Sequence, residues 1–213
     1  MKQFFQPGQT VLFQGDSVTD SGRIREDAHS LSEGYPGRVA DIYNALFPNN
    51  EITFYNRGNF GNRSSDLLAR YEADFKALKP DFLSILIGIN DVWRRYDEND
   101  PTSAQQYEKN YRTLLTQVRN DFPKIKIMMI DPFLLKTTPE KFCWREEVDS
   151  KIQVVRTLAT EFADYYLPLD SILNTLCCTN LYTPAQLSTD SVHPTYTGHG
   201  VIAYQYLKAL DII

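Results

Sequence analysis

"SSDLLARYEADFKALKPDFLSILIG", residues 64–88, sets a helical pattern and a strand pattern side by side with a stop between them. Leu67, Leu68, Tyr71, Phe75 and Leu78 recur at the spacing of one helical face, which predicts a helix over 64–78. Lys79-Pro80 ends it, because the proline ring disfavours helical backbone in the residue before it. The run that follows, "FLSILIG" (82–88), is apolar nearly throughout, as a strand is when both faces of its sheet are covered. The segment therefore reads as one helix-and-strand unit of a parallel sheet.

Four more runs read as strands: "TVLFQG" (10–15), "ITFYN" (52–56), "IKIMMID" (125–131) and "YYLPLD" (165–170). Longer amphipathic stretches over 36–47, 103–120, 140–163 and 195–209 predict the remaining helices. This alternation predicts an α/β fold, three layers deep, around a flavodoxin-like five-stranded parallel sheet. No repeat, linker or low-complexity run divides the 213 residues, so a single domain over 1–213 is expected. In such sheets ligands bind beyond the carboxyl ends of the strands, where the strand order reverses. Function is to be sought in the residues just after each strand.

Composition narrows the function classes. Twenty-two Lys and Arg against 27 Asp and Glu give a net charge of −5, which argues against a nucleic-acid partner. "MKQFFQPGQTVLFQG" (1–15) has one lysine before an apolar run broken by Pro7 and Gly8, unlike a secretion signal. No stretch approaches the roughly 20 apolar residues that cross a bilayer. A cytoplasmic protein without a membrane partner is expected. Cys143, Cys177 and Cys178 form no CxxC unit and read as reduced, mostly buried thiols. The aromatic content, 13%, leaves room for an apolar face that joins copies into a homo-oligomer.

Four polar clusters fall at strand ends or before the last helix: "GDS" (15–17), "NRGNFGNRS" (56–64), "GINDVW" (88–93) and "DSVHP" (190–194). Taken alone, Ser17 reads as a helix cap, since Ser and Asp after a strand are preferred there. His193 changes that reading. A serine hydroxyl is a weak nucleophile that needs a base held in place by a third group, and Asp190 and His193 on one turn can supply both. Acyl transfer also needs donors for a developing oxyanion. Gly61 lets backbone approach a substrate closely, and Asn90 offers an amide.

In order and across nearly the whole chain, "GDSVTD", "NRGNFGNRS", "GIND" and "DSVHP" resemble the four blocks of the SGNH hydrolases, or GDSL esterase and lipase family. Val18 stands where the family name has leucine. The resemblance implies Ser17 as nucleophile, His193 as general acid and base, and Asp190 as its orienter. It implies an oxyanion hole made of the Ser17 and Gly61 backbone N–H groups and the Asn90 amide, with Gly61 preferred over Gly58 for its spacing from Asn56. It implies no cofactor and no metal. Three scattered histidines without an HExxH motif also make a poor zinc ligand set. With His193 as base, the rate should rise through a pKa near about 6.5.

"GINDVWRRYD" (88–97), with the first two blocks, most closely resembles the intracellular acetyl-xylan-esterase branch, which deacetylates xylo-oligosaccharides. Trp93 would then stack on a sugar, and Arg94 or Arg95 would reach its hydroxyls. The competing reading puts Trp93 in the core and the arginines on a solvated helix start. Tyr35, Arg23 and Trp144 are further rim candidates, whereas His29 and His199 read as structural. The expected partner is a small ester, an acetylated oligosaccharide. Two alternatives stay open: a lipase or lysophospholipase of the same family, and a phosphate- or flavin-binding module on the same sheet.

Overall fold

The computed structural model describes residues 3–213; Met1 and Lys2, the start of the stretch read for a leader, lie outside them. The chain runs through β1 (Thr10–Gly15), α1 (Ser17–Asp20), α2 (Tyr35–Leu46), β2 (Thr53–Gly58), α3 (Ser64–Ala69) and α4 (Tyr71–Asp74). It continues through β3 (Phe82–Leu86), α5 (Ile89–Asp97), α6 (Ala104–Asp121), β4 (Lys126–Ile130), α7 (Pro139–Phe142) and α8 (Arg145–Phe162). β5 (Tyr165–Leu167), α9 (Leu169–Cys178), α10 (Pro184–Leu187) and α11 (Tyr196–Ala209) complete it.

All five strands are parallel, in the order β2-β1-β3-β4-β5. Successive strand residues point to opposite faces, so Val11 and Phe13 join a core with α2 and α11 residues, while Leu12 joins one with α3, α6 and α8 residues. Both faces of the sheet are therefore covered, which explains the unbroken apolarity of β3 and β4. The order reverses direction at β1, whose neighbours are β2 and β3. That switch point puts the residues after Gly15 and after Leu86 on either side of one crevice. Among the described residues, no helix is long and apolar enough to cross a membrane.

The expected helix over 64–78 is broken into α3, α4 and a short 3-10 turn at Lys76–Leu78. Arg70 sits at the first break, its guanidinium donating to the carbonyls of Arg57 and Gly15 and to Asn62 Oδ1. Those bonds to the sheet end outweigh the few tenths of a kcal/mol of local helix propensity. The expected helix over 140–163 breaks near Trp144, which is buried against Trp93. Strand pairing of the fifth run stops at Leu167, before Pro168, and residues 169–170 start α9. The cysteine expectation fails in part: all three are free, but Cys143 and Cys178 are exposed and Cys177 is half-buried. Both exposed thiols lie at ends of helices, Cys143 just after α7 and Cys178 at the last residue of α9.

Candidate active site

β1 delivers its chain end directly into α1. The cap of α1 is Asp16, whose carboxylate accepts the Val18 N–H at 3.0 Å, so Ser17 is not the cap that its type suggested. Ser17 is instead the first helical residue, with its hydroxyl free for another partner. α1 is a single turn, so it contributes an oriented N–H rather than a long summed dipole.

That partner is His193. Ser17 Oγ lies 2.9 Å from His193 Nε2, and His193 Nδ1 lies 2.7 Å from Asp190 Oδ2. Asp190 Oδ1 accepts the backbone N–H groups of Val192 at 3.0 Å and His193 at 2.7 Å, and the Ser188 hydroxyl at 3.2 Å. Partial burial works against ionisation of Asp190, but the His193 ring N–H and the two backbone N–H groups outweigh it and hold the carboxyl far below its usual range. An ionised Asp190 accepts a hydrogen bond from Nδ1–H, which leaves the Nε2 lone pair facing Ser17.

The turn that carries this pair is forced into shape. Ser191 adopts φ +76°, a left-handed conformation that costs a non-glycine residue about 1 kcal/mol. It is held there by the Leu135 and Thr138 N–H groups, which donate to its carbonyl and hydroxyl at 2.9 and 2.8 Å. The loop after β4 thus sets the Asp190–His193 geometry.

On the other side of the crevice, Gly61 has φ +73°, and a Cβ there would meet only Arg94 at an ordinary 3.6 Å. The position favours glycine for its backbone and not for lack of room. Gly58 is different: a Cβ would lie 2.2 Å from the Asp20 nitrogen, so β2 packs directly on α1 there. Its N–H already donates to Asn56 Oδ1 at 2.9 Å. Among the described residues, the Ser17 and Gly61 N–H groups have no protein acceptor. Asn90 Nδ2 donates to the Asn62 carbonyl at 3.1 Å, which fixes the amide beside the Gly61 turn and leaves its second N–H for a ligand. Replacing Asn90 by alanine is expected to lower kcat about 10²- to 10³-fold, measured on p-nitrophenyl acetate, as for other lost oxyanion donors.

Two supports of this wall were not legible in the sequence. Asp91 is fully buried and accepts both the backbone N–H and the hydroxyl of Ser64, at 3.0 and 2.7 Å, which ties the start of α3 to α5. Burial pushes Asp91 up to about 6, and the same cause pushes Asp16 up to about 7. Arg94 reaches Asn90 Oδ1 at 3.4 Å while it pairs with Asp97 and Glu98. It therefore contacts the Asn90 amide itself, a contact that the expected role toward sugar hydroxyls did not include.

The aromatic candidates divide. Trp93 is half-buried with its ring 5.8 Å from that of His193, so it borders the site while packing on Trp144. Tyr35 is fully buried, its hydroxyl 3.0 Å from Thr19 Oγ1, and so lies beneath α1 and not on a rim. Trp144 is likewise buried and stacks on Tyr96. Arg23 is half-buried and donates to the Gly58 carbonyl at 3.1 Å.

His199 accepts the Tyr35 N–H at 3.1 Å, which satisfies a free donor at the start of α2, and lies 3.2 Å from Ser21 Oγ. Burial first, then the positive charge of Arg38, push it down to about 4. A histidine whose folded pKa lies below its ordinary 6.5 contributes stability at neutral pH that is lost as pH falls from 6.5 toward 4. Its share is up to about 3 kcal/mol. Urea titrations at neutral and acid pH should show a smaller loss of stability on acidification in His199→Gln than in wild type.

Among the described residues, no group of three or more His, Cys, Asp and Glu is set to hold a metal ion. A Ser–His–Asp hydrogen-bonded chain, beside free N–H donors at the switch point of a parallel sheet, has the equipment of a serine ester hydrolase. Residues 13–201 match the GDSL-like lipase/acylhydrolase family, and the chain belongs to it. It is a carboxylic ester hydrolase.

An acetylxylan esterase of Geobacillus stearothermophilus is 35% identical over 212 residues, covering 95% of this chain and 94% of that one. The solved structure of that organism's acetylxylan esterase Axe2 superposes with a TM-score of 0.86 at 33% identity, covering 97% and 96% of the two chains. A GDSL-like protein of Parabacteroides merdae superposes with a TM-score of 0.92 at 30% identity over all of both chains. Solved variants of Axe2 described as catalytic mutants replace a serine, an aspartate or a histidine by alanine. Family membership sets aside the phosphate- or flavin-binding alternative.

Proposed function

We propose that this enzyme removes acetyl groups from short carbohydrate esters such as acetylated xylo-oligosaccharides, by two-step acyl transfer through Ser17. His193 takes the Ser17 proton as the oxygen attacks the ester carbonyl. The carbonyl oxygen, now negative, is received by the N–H groups of Ser17 and Gly61 and by the Asn90 amide. His193, held by Asp190, then protonates the departing sugar oxygen, which leaves as a hydroxyl, and the acetyl group stays on Ser17. Water, deprotonated by His193, attacks the acyl-enzyme; His193 then returns that proton to the Ser17 oxygen as acetate leaves.

The observation that carries the proposal is the continuous chain Ser17–His193–Asp190 at 2.9 and 2.7 Å. The acetylated carbohydrate is supported by the relative, an acetyl-xylooligosaccharide esterase, and by surroundings that suit a sugar. Trp93 borders His193, and a cleft of about 400 Å³ begins at Ser21 and Pro194 and is lined by Glu33, Thr195, Tyr196 and His199. Hydroxyls and a carboxylate around one exposed aromatic ring match the hydroxyls and apolar face of a pyranose. A cytoplasmic setting, with oligosaccharides as the form that reaches the enzyme, belongs to the same proposal.

Hydrolysis of p-nitrophenyl acetate and octanoate, alongside acetate release from acetylated xylo-oligosaccharides, tests it. The expected result is a higher kcat/KM for acetate than for octanoate, with rapid release from the oligosaccharide. A preference for octanoate would favour the lipase-type reading.

A further inference from the structure

Lys141, on α7, is separated from Asp190 by 49 residues, yet its ammonium reaches the Asp190 end of the hydrogen-bonded chain. Nζ lies 3.3 Å from Asp190 Oδ2, the same oxygen that pairs with His193 Nδ1 at 2.7 Å. It also lies 3.9 Å from the centre of the Trp93 ring and 5.6 Å from that of Trp144. Trp93 in turn flanks the His193 ring at 5.8 Å. One cation therefore touches both groups that border the imidazole. It is held there, with a side chain only 16% exposed, whereas Asp190 is 37% exposed.

The arrangement is unequal between the two carboxylate oxygens. Oδ1 is filled by the Val192 and His193 backbone N–H groups and the Ser188 hydroxyl. Oδ2 is left to be shared by the imidazole and the ammonium. We propose that Lys141 is a positioning residue for the acid–base pair: it draws on the Asp190 oxygen that faces His193, pins Trp93 against the ring, and opposes a positive charge on the imidazole. The inference rests on His193 acting as the base.

A proton arriving at Nε2 makes an imidazolium that Asp190 attracts and Lys141 repels. The lysine thereby opposes the charge that its neighbour Asp190 favours. The charged or titratable groups that face His193 are Asp190 on its own turn, Asp16 at the end of β1, His199 on α11 and Lys141 on α7. Trp93 on α5 brings no charge. Asp16 and His199 are unchanged in a Lys141 variant, so differences between Lys141 variants report the lysine. Two unit charges that meet on one carboxylate oxygen at a partly hydrated site correspond to about 0.5 to 1 pH unit.

The test is the pH dependence of kcat/KM for p-nitrophenyl acetate in wild type, Lys141→Met and Lys141→Arg, each checked for folding by circular dichroism. In Lys141→Met the pH of half-plateau activity on the acid side is expected to rise by about 0.5 to 1 unit, and Lys141→Arg should restore it. Should the methionine variant fold poorly, Lys141→Gln is read in the same way. An unmoved acid limb in a folded neutral variant overturns the proposal, as does an arginine variant displaced as far as the methionine one. His193→Ala, assayed in parallel, separates the two layers of the argument. If it is inactive while Lys141→Met keeps the wild-type profile, only the role of Lys141 fails. If it retains activity, the base assignment fails and the inference falls with it.

Discussion

Replacing Ser17 by alanine is expected to lower kcat for acetyl esters by about 10⁴- to 10⁶-fold while leaving the fold intact. The magnitude follows from losing the nucleophile outright, so that any residual rate comes from binding and the oxyanion donors acting on water. Persistence of the fold follows from the contacts. Among the described residues the Ser17 hydroxyl bonds only to His193, and the cap of α1 is made by Asp16. The variant should melt within a few degrees of wild type, because the single hydrogen bond to His193 is removed and no core contact is lost. Calorimetry and steady-state kinetics on the same preparation check both halves. A folded Ser17→Ala enzyme with near-normal turnover would end the acyl-transfer reading.

The second large effect is expected from Asp190→Asn, about 10⁴-fold in kcat, because the surroundings decide how the new amide must lie. Three donors converge on Oδ1: the Val192 and His193 N–H groups and the Ser188 hydroxyl. An asparagine satisfies them only by placing its oxygen there, which turns its NH₂ toward His193 Nδ1 and the Lys141 ammonium. Facing a donor, Nδ1 becomes an acceptor, so the ring proton moves to Nε2. The ring then offers Ser17 a proton instead of a lone pair. Because size and backbone bonds are kept, the loss should fall on kcat with little change in KM. A variant within tenfold of wild type would show that Asp190 does not set the tautomer.

How much of this was legible in the sequence depends on whether a residue's role is local or tertiary. β3 and β4 were readable because two-sided burial leaves its mark in every residue of the strand, and the helices over 103–120 and 195–209 lie within a residue or two of α6 and α11. The helix over 64–78 was misread because Arg70 obeys bonds to Gly15 and Arg57 that its neighbours do not encode. The four polar clusters were found because each sits at an element end, and two of their members, Ser17 and His193, meet as expected. Local type misassigned the helix cap to Ser17, and it placed Tyr35 on a rim when that ring is fully buried. Lys141 had no local pattern. Its meaning comes entirely from the folding of the α7 segment against the Asp190 turn and Trp93, on an element only four residues long. The same holds for Asp91, whose buried partner, Ser64, opens a different helix.

The most direct test of the central claim is to trap the covalent intermediate. Wild-type enzyme is quenched with acid during turnover of p-nitrophenyl acetate, digested, and its peptides are mapped by mass spectrometry. The account predicts one acetyl group on the peptide that contains Ser17, absent when His193→Ala is treated in the same way. An acetyl group on another residue of the active enzyme, with Ser17 unmodified, would contradict it.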